Sequence, residues 1–187
     1  EFMEFKNEYS AYGISTVFTR VSGSAEVKRD SKKSDPNVRV VGADDNYLAI
    51  KAIKLDAGRN FSNVEIRYGN NVCIIGKEIK EILFESNENP VNEKITVYGR
   101  PYTVIGVLEE QGGVGNDQGA DRQILIPVEN ASRLDQRGTF RYQATSVASG
   151  PDRLEYEMGQ AIGIMRKIRQ DRVTEEDSFE LTKRESV

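Results

Sequence analysis

Between residues 58 and 107 no apolar run lasts more than a few residues before glycine, proline or asparagine breaks it, and that punctuation dictates short elements joined by tight turns. The segment opens with Gly58-Arg59-Asn60-Phe61. Asn71-Val72-Cys73-Ile74-Ile75-Gly76 follows, a β-branched run that reads as a buried strand feeding a helix at Gly76. Ile79, Ile82 and Leu83 then stand at i, i+3 and i+4, one apolar face of a helix of about two turns whose other face is Lys77, Glu78, Lys80 and Glu81. Asn89-Pro90 stops that helix, and Asn92 suits a left-handed turn. Ile95 to Tyr98 and Thr103 to Val107 read as two strands of a hairpin closed around Gly99-Arg100-Pro101.

The rest of the chain supplies more elements of the same kinds. A helix is expected near residues 4 to 12, stopped by Gly13, then strands over Ile14 to Val21 and Ala25 to Lys28 with Ser22-Gly23-Ser24 as the turn between them. Val38 to Ala43, residues 124 to 127 and residues 139 to 147 are further strands. A long helix starts at Ser149-Gly150-Pro151-Asp152, where Ser149 and Asp152 have capping-box spacing and Leu154, Met158, Ala161, Ile162, Met165 and Ile168 form one face. Gly159 and Gly163, four apart, would let that helix approach a strand or another helix closely, with packing against the sheet favoured. Hairpin-like strands mixed with a few helices make an α+β pattern.

Charge and composition narrow the function. A net charge of -4 speaks against a nucleic-acid partner. Lys28, Arg29, Lys32 and Lys33 alternate with Asp30 and Asp35 and read as a solvated hairpin tip, while Arg166, Lys167, Arg169 and Arg172 oppose a helix dipole. The chain contains no histidine, so Ser-His-Asp and Cys-His arrangements and the usual zinc sites cannot be built from it. Cys73, the one cysteine, lies in an apolar strand and reads as an inert buried thiol. No catalytic, cofactor-binding or metal-binding residue is assigned.

One polar stretch, Gln111 to Asp121, is rich in glycine. It matches neither a dinucleotide fingerprint nor a phosphate loop, and Asp117 and Asp121 lack calcium-loop spacing. It reads first as a hairpin tip and second as a partner-contact loop carried by Gly113, Gly115, Asn116, Asp117 and Gln118. No apolar run approaches the ~20 residues that span a bilayer. The start at Glu1-Phe2-Met3 reads as the beginning of an excised piece, so any membrane attachment is expected outside these residues.

The ordered set from Gly58-Arg59 to Val104-Ile105-Gly106-Val107 resembles the extracytoplasmic, periplasmic core domain of MacB-type ABC transporter permeases, which share the FtsX-like membrane architecture. Val38 to Gly42, Asp45-Asn46-Tyr47-Leu48, Ile124 to Pro127 and Asp177 to Leu181 extend the likeness over roughly residues 38 to 182. Asn92 stands where the family usually has glycine. The resemblance implies two lobes: a porter-like α/β sandwich from residues 1–50 and 137–187, its first strand missing or altered, and a smaller, mostly antiparallel β plus helix lobe inserted at 51–136. It further implies a non-catalytic domain tethered to the cytoplasmic membrane on its periplasmic or extracellular face, with no cofactor. Its partners would be flanking transmembrane helices and a cytoplasmic ATPase, with a dimer in the full transporter and an adaptor or outer-membrane channel as further possibilities.

Two other classes stay open on the residues themselves. A free-standing ligand- or peptide-binding module would line a groove between lobes with Tyr47, Phe61, Tyr98 or Tyr102. An enzyme working through carboxylates alone would need a specific acid pair, and thirty Asp and Glu residues single out none.

Overall fold

A computed structural model describes residues 1–110, 121–172, 174, 176–180 and 182. The chain forms two units, Thr16–Gln143, and Glu1–Ser15 with Ala144–Val187. The elements are α1 (Phe2–Tyr9), β1 (Ile14–Ala25), β2 (Val27–Arg29), β3 (Lys32–Lys33), β4 (Val38–Ala43), α2 (Tyr47–Ile50), β5 (Leu55–Gly58), α3 (Asn63–Tyr68), β6 (Val72–Ile75), α4 (Lys77–Leu83), β7 (Lys94–Val97), β8 (Arg100–Leu108), β9 (Gln123–Pro127), α5 (Val128–Ser132), β10 (Tyr142–Val147) and α6 (Leu154–Arg169), the last preceded by a 3-10 turn at Pro151–Arg153. The fold is α+β.

Within Thr16–Gln143 the strands follow the order β1-β4-β9-β6-β8-β7-β2-β3, with β5 added along β8. β4 runs parallel to β9 and β6 parallel to β8, while β1–β4, β6–β9, β7–β8 and β2–β7 are antiparallel. The central strands are buried along their length and, Gln123 apart, apolar: every residue of β9 is buried, as are Cys73, Ile74 and Ile75. Such continuous runs are what a strand covered on both faces requires. α5 lies so close to β4 that a Cβ on Gly42 would stand 2.4 Å from the Cβ of Ala131. Ile79 and Leu83 of α4 are fully buried, as their spacing predicts. Asn92 takes φ +75°, keeping the turn for which glycine is the usual residue.

The Glu1–Ser15 and Ala144–Val187 unit has its own core, in which Phe5 and Tyr9 of α1 meet Ala161, Ile164 and Met165 of α6. Lys167 and Arg169 at the end of α6 pair with Glu8 and Glu1, 3.0 and 2.6 Å away.

Several expectations need correction. Ser22-Gly23-Ser24 is no turn between strands. β1 runs through it, with register shifts against β4 on both sides of Ser22. The β7–β8 turn is the two residues Tyr98 and Gly99, both at positive φ, so Arg100 and Pro101 belong to β8. Ser149 does not cap the long helix. Its amide and hydroxyl donate to Glu157, a buried carboxylate within α6. The buried face of α6 is Glu157, Ala161, Ile164 and Met165, with Leu154, Met158 and Ile162 only half-buried, and Gly159 and Gly163 face open space. Residues 177–180 form no strand. The β2–β3 hairpin exists, but Arg29 is not a solvated tip residue: it lies over Phe84 at 4.2 Å and forks onto Glu88.

Candidate functional site

A dense polar construction surrounds α3 and starts at the Gly58-Arg59 step. Gly58 has φ +78°, and a Cβ there would stand 2.2 Å from the Ile105 carbonyl oxygen. Reciprocally, a Cβ on Gly106 would stand 2.8 Å from the Arg59 carbonyl oxygen. Only two glycines let these backbones touch, and the Arg59 amide uses the approach to donate to Ile105 O at 2.9 Å. The contact fixes where the Arg59 side chain leaves the sheet.

Arg59 then reaches Glu65 with two guanidinium nitrogens, at 2.8 and 2.7 Å. Glu65 also closes a capping box: Ser62 N donates to its carboxylate at 2.8 Å, and the Glu65 amide donates to Ser62 Oγ at 3.3 Å. Paired and multiply hydrogen-bonded, the carboxyl titrates at about 2, the Arg59 fork outweighing the burial that acts in the opposite direction. Such a carboxylate is a poor proton acceptor at neutral pH.

The other end of α3 is held as firmly. Gly69 supplies the left-handed cap, and its carbonyl accepts from Asn130 Nδ2 at 2.9 Å. Asn130 is buried and reaches Asn71 Oδ1 at 2.7 Å, while its own carbonyl accepts from the buried Tyr102 hydroxyl at 2.7 Å. Arg133 donates to the Tyr68 carbonyl at 2.9 Å. Burial pushes the Tyr102 phenol up. A helix of six residues thus has its ends tied to β5, β6, β8 and α5.

The sequence names Gly58, Arg59 and Gly106 but not the helix between them. Ser62-x-x-Glu65, a capping-box spacing, was the available signal. Asn130 carries no such local mark. The aromatic residues proposed as groove liners are mostly core: Tyr47, Phe61 and Tyr102 are buried, and only Tyr98 is exposed. A shallow hollow of about 160 Å³ over α4, lined by Lys77, Lys80, Phe84 and Ser86 among others, includes none of them. Cys73 is fully buried and its thiol is pushed far up by desolvation. Among the described residues no three acidic or thiol side chains gather as a metal site, and no helix is long and apolar enough to cross a membrane. Gly113, Gly115, Asn116, Asp117 and Gln118 lie outside the described residues.

Comparison with known proteins agrees with the architecture. The chain is 37% identical over 101 residues to a macrolide export ATP-binding/permease protein MacB of Rhodopirellula baltica, and 31% identical over 121 residues to a pyoverdine export ATP-binding/permease protein PvdT of Pseudomonas fluorescens. These alignments take in 52% and 65% of this chain but only 14% and 18% of those proteins. The fold matches the crystal structure of the periplasmic region of MacB from Actinobacillus actinomycetemcomitans with a TM-score of 0.71 at 19% identity, covering 90% of this chain and 74% of that one. Residues 3–166 match the model of the MacB-like periplasmic core domain, and the chain belongs to that family of extracytoplasmic permease domains.

Proposed function

We propose that this domain is a non-catalytic mechanical coupler: it transmits ATP-driven movement of transmembrane helices to the export or extraction of a substrate outside the cytoplasmic membrane. The observation that carries the reading is the interlock at Gly58 and Gly106 together with the polar ties on α3, in which strong polar groups are bonded to one another instead of converging on a ligand. A body that relays motion must move without deforming, and backbone contacts this close leave little room to yield. Relatives with both ATP-binding and permease in their names support a hydrolysing partner elsewhere, fused or separate. In this reading flanking transmembrane helices adjoin the domain, two copies work as a pair, and lobes at 1–50 with 137–187 and at 51–136 carry the motion, with an adaptor or outer-membrane channel as further partners. Macrolide and pyoverdine export, named for the relatives, point to export as the class.

Paired spin labels in the reconstituted full-length transporter test this. With one label at E81C on each of two copies, the distance between copies should change on ATP binding, while a pair at E81C and N63C within one copy should keep its separation. An unchanged distance between copies, or a changed one within the copy, overturns the proposal.

A further inference from the structure

α3 presents a face that the fold does not use. Val64 and Tyr68, one turn apart, are 60% and 61% exposed, whereas Glu65, Ile66 and Gly69 face inward. Exposed apolar side chains occur singly on any surface. Here two of the most exposed stand together on a six-residue helix anchored at both ends, so their positions are fixed before any partner arrives.

The charge beside them selects the partner. Arg67, one turn on from Val64 and next to Tyr68 in the chain, flanks them on the exposed side of the helix and pairs with no carboxylate among the described residues. Arg133, also exposed, donates only to the Tyr68 and Gly69 carbonyls, so its charge is not neutralised by an acid there. By contrast Arg29, Arg59, Arg122 and Arg169 each hold a carboxylate. A twofold contact centred on this face would bring Arg67 and Arg133 against the same two cations of the other copy, which disfavours a second copy of this chain. Two apolar residues and two cations fall short of the area and charge a membrane surface needs.

We propose that the Val64–Arg67–Tyr68 face of α3, with Arg133 at its end, is a docking surface for another protein, one presenting an apolar side chain flanked by carboxylates. Tyrosine and arginine are among the residues enriched at the energetic centre of such contacts. The inference stands independently of whether the domain transmits force.

The test places the photo-reactive residue p-benzoylphenylalanine at Tyr68 in the full-length protein in its own cells, and maps the cross-linked residues by mass spectrometry. The expected adduct lies on an apolar residue of a different polypeptide, within about four residues of two carboxylates on a helical or extended segment. Its yield should fall about tenfold with R67E and persist with R67K. V64S and Y68S should purify with unchanged melting temperature, which separates docking from a role in folding. Adducts on a second copy or on lipid, adducts on a segment without acids, no adduct, or a yield indifferent to R67E would each overturn the proposal.

Discussion

Arg59 and Glu65 meet as a two-bond fork in which the carboxylate is almost wholly buried and the guanidinium remains half in solvent. That asymmetry makes the pair a source of pH-dependent stability. The Glu65 carboxyl titrates at about 2 in the folded chain, and a glutamate in an unfolded chain at about 4.3. Because the folded value is the lower one, the contribution is present in full above about pH 5 and is lost as pH falls through 4 towards 2. Solvent around Arg59 discounts it to about 2 kcal/mol. Chemical denaturation of wild type and E65Q should therefore differ by about that amount at pH 7 and converge near pH 2. A difference independent of pH would refute the assignment.

Two glycines separate close approach from simple backbone freedom. Gly58 and Gly99 both have positive φ, yet a Cβ on Gly58 meets backbone at 2.2 Å while one on Gly99 meets nothing within 4 Å. G99A should cost about 1 kcal/mol, the left-handed penalty alone. G58A must also push β8 away and should cost about 3 kcal/mol or more. Equal shifts of the urea midpoint in the two variants would show that the interlock contributes nothing beyond conformation.

Asn130 and Tyr102 form a buried pair whose members depend on each other. N130A leaves the Tyr102 hydroxyl without its acceptor and the Gly69 carbonyl with only the long bond from Arg133, at about 2–3 kcal/mol. Y102F should cost about 1 kcal/mol, and the double variant less than the sum. A double-mutant cycle measured by thermal unfolding checks this, and strict additivity would be the contrary result.

What local pattern could show, it showed. The helix from Lys77 announced itself through Ile79 and Leu83, and Asn92 through its turn chemistry, because in each case the deciding neighbours lie within a few residues. α6 was legible as a helix but not in its facing. A buried Glu157, satisfied by Ser149, turns the helix so that Ile164 points inward and Leu154 does not, and hydrophobic periodicity cannot anticipate an acid at a core position. The Asn130 node joins residues about sixty positions apart, and no window of sequence contains it. The close contact between Gly58 and Gly106 also joins distant parts of the chain; the glycines were visible, the reason for them was not.

The burial of Cys73 has a practical consequence. The folded chain offers maleimides and other thiol reagents no accessible thiol, since its one cysteine is fully enclosed and holds its proton. A cysteine introduced on the surface can then be labelled selectively without first altering the native one. Slow modification of Cys73 itself becomes a clock for opening of the central sheet.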